Sequence, residues 1–188
     1  MTKFEGVNLE TAGEDVSRMW EKVCSSRADI QVPMELYLIL AHSPHVMEAW
    51  SGFAQSLRGY DSQGKKFENP LAMSGRLYHL AKLQVALSAP NPYEWVGHVR
   101  HAAKYGISDI ELTALKSENL CGFIESERDL LNYTIDIVKH RDTSESLKKL
   151  ERLLPPKAVV ELTVTIGFYI CIAKVIHALA IERSPNEK

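Results

Sequence analysis

Two residues one helical turn apart carry the clearest chemical signal in this 188-residue chain. Glu94 and His98 fall in the segment Asn91-Pro92-Tyr93-Glu94-Trp95-Val96-Gly97-His98. At i and i+4 they share one face of a helix. A carboxylate beside an imidazole can divide acid and base roles. The glutamate can remove a proton next to a carbonyl, and the histidine can return one or polarise the carbonyl oxygen. Burial against Tyr93 and Trp95 would raise the glutamate's pKa toward neutrality. The same spacing has a plainer reading. Asn91 and Glu94 stand as N-cap and N3, and His98 is then an ordinary i+4 partner on a solvated helix. Spacing leaves both readings open.

Further histidines extend the question. His79 lies in the preceding helix with Tyr78, Lys82 and Gln84. Polar side chains in such an apolar helix point either into a pocket or to solvent. His42, in Ala41-His42-Ser43-Pro44, precedes a helix start. There it can bind the backbone or contribute to substrate binding. His101 continues the stripe of His98, while His45, His140 and His177 have weaker claims. Glu94, His98 and His79 would suit zinc or iron by donor type. No H-E-x-x-H spacing supports that set, so no metal is expected. Arg76, Lys82 and Arg100 have the charge to hold a carboxylate, but such residues are usually solvated.

Composition sets the frame. Hydrophobic residues make up 45%, charged residues 24%, and the formal net charge is -2. This is an ordinary globular balance. No basic patch tracks phosphates, so no nucleic-acid partner is expected. Cys24, Cys121 and Cys171 are odd in number and far apart, and none forms a C-x-x-C pair. A disulfide framework is not expected, and a reducing, cytoplasmic setting is. Cys121 and Cys171 read as buried apolar thiols. The N-terminus lacks the apolar run of a signal peptide. The most apolar stretch, Leu162 to Ala173 between Glu161 and Lys174, reads as a core helix too short for a bilayer. No membrane partner is expected.

The elements that must position these residues are helical throughout. An amphipathic segment runs from Leu9 to Cys24, followed by a turn at Ser25 to Asp29. Pro33 opens a short helix, Met34 to Ala41. Ser43-Pro44 starts a helix whose Val46, Met47, Trp50, Phe53, Ala54 and Leu57 form one apolar stripe, read as core packing. Gly59 to Pro70 is a loop. Leu71 to Leu87 is a helix with Leu77, Leu80, Leu83 and Leu87 on one face. Asn91-Pro92 starts the next, which runs to Tyr105 and stops at Gly106. Ser108-Asp109-Ile110-Glu111 is a capping box. Glu125 to His140, the charged stretch Asp142 to Leu154, and Pro155-Pro156 to about Ile181 complete the set, before a loose tail. A single all-α domain over residues 1–188, a bundle of about eight helices, is expected.

Within this frame the stretch from Tyr93 to Leu115 resembles the signature of the carboxymuconolactone decarboxylase family, within the alkylhydroperoxidase D-like (AhpD-like) superfamily. Its pattern runs Y-E-W-x-x-H, then A-x-x-x-G-[LIV]-S-x-x-E. Leu40-Ala41-His42-Ser43-Pro44 and Glu161-Leu162 through Phe168-Tyr169 are similar to flanking segments of the family, so the resemblance covers most of 33–182. It implies an AhpD-like helical bundle that assembles as a homo-oligomer, a dimer, trimer or hexamer. It also implies two chemistries. In the peroxidase branch a C-x-x-C-x-x-x-H motif supplies two thiols, which would fall at Asn91 and Glu94. Neither is a cysteine, so thiol peroxide reduction at this site is not expected. In the decarboxylase branch a glutamate and a histidine move protons on an enol or lactone, and Glu94 and His98 match. Where the family commonly carries an upstream glutamate, this chain has His79. The resemblance therefore implies a cofactor-free lyase or isomerase acting on a small molecule. Glu94, His98 and His79 would be catalytic, with Tyr93, Trp95 and His42 about the substrate. The alternative is a non-catalytic binding or scaffold protein on the same fold.

Overall fold

The computed structural model describes residues 4–25, 35–61, 64–68 and 71–182. Among these, nine α-helices and two short 3-10 turns are present, and no strand. The expected turn at 26–29, the helix start at Pro33 and Met34, part of the loop before Leu71 and the tail beyond Glu182 lie outside the described residues. The chain forms two compact units, residues 1–71 with 178–188, and residues 72–177.

The first unit contains α1 (Glu14–Ser25), α2 (Glu35–Leu40) and α3 (Pro44–Ser56). The first helix begins five residues later than the apolar pattern suggested. The Asn8 side chain accepts from the Glu10 amide, and the Asn8 carbonyl accepts from Thr11, so a separate turn forms first. Lys22 of α1 and Glu48 of α3 form an ion pair between their helices. The N-terminal segment passes close to α2, where the Val7 amide donates to the Leu38 carbonyl at 3.0 Å. Gly6 permits this approach, because a Cβ there would lie 2.6 Å from the Leu38 Cβ. On α3 the inward face is Met47, Ser51, Ala54 and Gln55. Leu57 is also buried, but Val46 and Phe53 are exposed, so the expected stripe is split. The reason is angular. Phe53 stands six positions from Met47, which at about 100° per residue turns it well away from the buried face.

The second unit is built around α4 (Gly75–Ser88). Every residue from Tyr78 to Ala86 is buried, polar ones included. A helix enclosed on all sides shows little amphipathic periodicity. It packs against α5 (Pro92–Ala102), α6 (Asp109–Lys116) and α7 (Glu125–Val138). The next helix, α8 (Ser144–Leu153), packs on α7, where Ser146 Oγ donates to Asp136 Oδ2 at 2.8 Å. Leu80, Leu83, Leu130, Leu131, Leu150, Leu162 and Ile166 are fully buried and form the core. Ser74 caps α4 through the Leu77 amide, so the helix starts at Gly75 rather than at Leu71.

The last helix, α9 (Pro156–Ala178), is 23 residues long. An 18-residue window has a mean hydropathy of 2.0, so by length and composition it could cross a membrane. The expected limit of a dozen apolar residues is therefore too short. Its inner face, including Leu162, Thr165, Ile166, Tyr169 and Ile172, is buried in the protein. Tyr133 of α7 and Thr163 of α9 share a hydrogen bond at 2.8 Å. Val160, Val164 and Cys171 face outward.

Candidate functional site

The site lies within the second unit, where α4, α5 and α9 bring an acid, two imidazoles, a lysine and several tyrosines together. Local sequence sets the start of α5. Pro92 occupies the first helical position, where its missing N–H costs nothing, and Asn91 Oδ1 accepts from the Glu94 amide at 3.2 Å. Half of a capping box is thus present. The reciprocal bond is not made to Glu94, because the Asn91 amide donates to the Ala86 carbonyl at 2.9 Å. The Glu94 carboxylate turns along its own helix instead. Its Oε2 lies 3.0 Å from His98 Nε2, and the two side chains are 10% and 12% exposed. This separates the two readings of the spacing. A solvated helix pair would be open to water, and this pair is largely removed from it.

His79 approaches from α4. Its Nε2 lies 2.8 Å from the backbone carbonyl oxygen of His98. A carbonyl only accepts, so Nε2 carries the hydrogen and Nδ1 holds a lone pair. That Nδ1 is buried with no hydrogen-bond partner among the described residues. Burial, then the charge of Lys82, pushes the His79 pKa down to about 3, against the opposing pull of the carbonyl. His79 is therefore neutral at physiological pH, and it buttresses the turn of α5 that carries His98.

Aromatic rings close the cluster. His79 stacks on Tyr105 at 4.5 Å between centroids, and meets His98 edge to face at 5.2 Å. Tyr169 of α9 meets His98 at 5.2 Å. Tyr105 belongs to the 3-10 turn Ala103–Tyr105, which follows α5 and ends at Gly106 with φ of 69°. The sequence ran the α-helix to Tyr105, whereas residues 103–105 form this 3-10 turn; the glycine stop falls at the expected residue. At the start of α4, a Cβ on Gly75 would lie 3.0 Å from two ring carbons of Tyr105.

The remaining expected residues are placed as follows. Tyr93 is buried in the first turn of α5. Trp95 is half-buried, and its ring lies 5.2 Å from Lys116 Nζ of α6, on a different face from Glu94. His42 is in the first unit. Its Nε2 lies 2.9 Å from the Glu5 carbonyl oxygen, and its ring packs edge-on to Phe4. His101 is exposed. No cluster of three or more metal-ligating side chains occurs among the described residues.

Two expectations change. Arg76 does not wait for a ligand. Its Nε donates to Glu127 at 2.6 Å, and its other nitrogens reach Glu111 and the Gly106 carbonyl. These partners raise its pKa and hold that of Glu111 low. Glu111 meanwhile closes the capping box with Ser108. Cys121 and Cys171 are exposed rather than buried. One sits on the 3-10 turn Leu120–Gly122 and the other on the outer stripe of α9. A cysteine's apolar character could not reveal which face of its helix is turned outward.

Sequence reasoning missed Tyr105 and Tyr169 as members of the site. The usable signal for Tyr169 was a phenol within an aliphatic helix, four positions from Thr165 on the same inner face. Lys82, for which the sequence left pocket and solvent open, is 7% exposed.

No family model matches the chain, and no curated protein matches it in sequence. Solved structures do match in fold. The debrominase Bmp8 in complex with 2,3,4-tribromopyrrole aligns with a TM-score of 0.77 at 13% identity, over 100% of this chain and 94% of that one. An uncharacterised peroxidase-related protein from Silicibacter sp. aligns with a TM-score of 0.75 at 12% identity, over 99% and 95%. An uncharacterised peroxidase-related protein from Ralstonia eutropha, an alkylhydroperoxidase AhpD core, gives 0.72 at 12%, over 100% and 96%. Such identities speak to architecture and not to activity. The chain has the AhpD-like all-α fold.

Proposed function

We propose that this chain is a cofactor-free lyase or isomerase of the carboxymuconolactone-decarboxylase type, acting on a small carbonyl or lactone compound. The observation that carries this reading is the Glu94–His98 pair, 3.0 Å apart and largely shielded from water. Glu94 takes a proton from the carbon next to the substrate carbonyl, and the C–H electrons move into the enolate. His98 polarises the carbonyl oxygen and returns the proton to another carbon in an isomerisation, or to the group expelled as the enolate electrons form the new double bond in an elimination. In a cyclisation the enolate adds to a second carbon of the substrate and His98 protonates the resulting anion; in a decarboxylation the C–CO2 bond rather than the C–H bond supplies the enolate electrons, CO2 leaves, and the proton goes to the enolate carbon. His79 does not exchange protons in this scheme. It holds the helix backbone at His98, so its role shifts from catalytic to positioning. Tyr93 contributes to the substrate-facing surroundings. No thiol step is involved, because positions 91 and 94 carry Asn and Glu.

The protein is proposed to act in the cytoplasm as a homo-oligomer, a dimer, trimer or hexamer. The exposed Val160 and Val164 on α9 support an apolar contact between copies. A non-catalytic scaffold on this fold is the competing reading. Burial of the Glu94–His98 pair favours the enzyme, since a surface scaffold gains nothing from shielding two ionisable groups.

Turnover of a panel of small enol lactones and keto acids tests the proposal. Glu94→Gln and His98→Ala are each expected to lower kcat by about 100-fold or more, the range of one acid–base group, with the fold retained. Full activity in either variant refutes the assignment. A variant with all three cysteines replaced by serine is expected to keep its turnover.

A further inference from the structure

We infer that the Asn91 side chain is a second oxygen-binding point beside the Glu94–His98 pair, and that the site takes a neutral β-dicarbonyl compound, whose acidic carbon lies between two carbonyl groups. The inference deepens the acid–base reading and rests on it for the part played by Glu94.

Asn91 is the N-cap of α5 and is 4% exposed. Its Oδ1 accepts from the Glu94 amide, which fixes the side chain's orientation, because only the oxygen of a carboxamide can accept. Nδ2, on the other arm of the same planar group, is therefore directed away from that backbone amide. It is buried, and it has no hydrogen-bond partner among the described residues. Buried donors in native proteins are nearly always met by a protein group, a water or a ligand. A serine would cap the helix equally well, so capping explains the oxygen of Asn91 and not its nitrogen. The position gives this donor its meaning. At about 100° per residue, positions 91, 94 and 98 fall on one face of α5. Asn91, Glu94 and His98 are all largely removed from water. Along that face the order is amide donor, carboxylate, imidazole.

A carboxylate is a weak base toward the C–H of an ordinary ketone, so proton transfer to it is favoured where the carbon acid is strong. A carbon flanked by two carbonyls is such an acid, because the electron pair left behind spreads over both oxygens. With Glu94 over that central carbon, His98 would meet one oxygen and the Asn91 N–H the other. The proton passes to Glu94, and the charge that appears on the two oxygens falls on two donors already in place. The dipole of α5 acts in the same sense, since it favours negative charge at the Asn91 end of the helix. An uncharged donor also suits a substrate whose charge arises only on deprotonation. A monoketone would leave the Asn91 N–H unmet and so would be held less well.

Benzoylacetone and butyrophenone, the same skeleton with the second carbonyl replaced by a methylene, serve as probes, with binding followed by calorimetry and by NMR of side-chain amides. Wild-type protein is expected to bind the diketone more tightly than the monoketone. Asn91→Ser keeps a capping oxygen and removes the amide. It should weaken benzoylacetone about tenfold, as for one hydrogen bond, and leave butyrophenone unchanged. Equal binding of benzoylacetone to wild type and Asn91→Ser overturns the inference. So does equal affinity of wild type for the two probes, or no binding of benzoylacetone at all. If Asn91→Ser does not fold, the Asn91 side-chain amide resonances of wild type decide. They should shift with benzoylacetone and not with butyrophenone. No shift, as for an amide that meets only a buried water, overturns the assignment. Glu94→Gln separates this inference from the catalytic one, because it removes the base and keeps both donors. The preference for benzoylacetone should persist in that variant even if no turnover is found for the wild type, and its loss there would assign the preference to Glu94 and overturn the role of Asn91.

Discussion

His79 Nε2 lies 2.8 Å from the backbone carbonyl oxygen of His98, so one histidine holds the main chain of the other. The bond fixes the His79 tautomer and leaves the His98 side chain to face Glu94. Burial, and not this bond, keeps His79 neutral, since a protonated ring would still donate to the carbonyl.

Stability should therefore depend on acid in a defined window. In the folded chain His79 titrates at about 3, below its ordinary 6.5. Between those values the unfolded chain binds a proton that the folded chain does not. Stability from this group is complete above pH 6.5 and declines as pH falls toward 3, by up to about 4 kcal/mol. His79→Gln keeps an N–H donor and cannot be protonated. Urea unfolding between pH 7 and 4 is expected to show a shallower decline for His79→Gln than for wild type. Parallel slopes would remove His79 as the cause.

The Arg76 network predicts a mutation outside the site with a structural penalty. Arg76→Met would leave the Glu127 side chain, 7% exposed, without its cation. The expected loss is about 3 kcal/mol, as for breaking a partly buried pair from one side. Arg76→Lys should recover less than half, because a single ammonium cannot meet Glu127, Glu111 and Gly106 at once. A loss below about 0.5 kcal/mol for Arg76→Met, typical of surface changes, would show that the network is dispensable.

Thiol accessibility distinguishes the cysteines. Cys121 and Cys171 are exposed, and Cys24 is half-buried. Ellman's reagent is expected to modify Cys121 and Cys171 in the native monomer faster than Cys24. If copies associate through the outer stripe of α9, Cys171 should be protected in the assembled form and Cys121 should not. Equal protection of both would place the contact elsewhere.

Much of the fold was legible because helix ends carry chemical punctuation. Pro44, Pro92 and Pro156 sit at or near the helix starts they suggested, and Ser108 and Glu111 form the expected capping box. Boundaries without such punctuation drifted, as at Leu9 and Leu71, where local turns and the Ser74 cap decide the start. The i,i+4 relation of Glu94 and His98 was legible for the same local reason. The rest of the site was not, since it depends on which helix passes behind α5. Tyr169 lies seventy-one positions after His98, and no local pattern joins them. The His79 tautomer depends on a main-chain oxygen, which side-chain patterns do not encode.

Gly75 is exposed at the start of α4, away from Glu94 in sequence, yet a methyl group there would press on the Tyr105 ring that stacks on His79. Variation at this surface position would therefore be transmitted through the Tyr105 ring to His79 without replacing either. That gives selection a dial on the proposed site: one added carbon at an exposed position, reversible in one step, that shifts the ring cluster while the acid and the imidazoles stay in place.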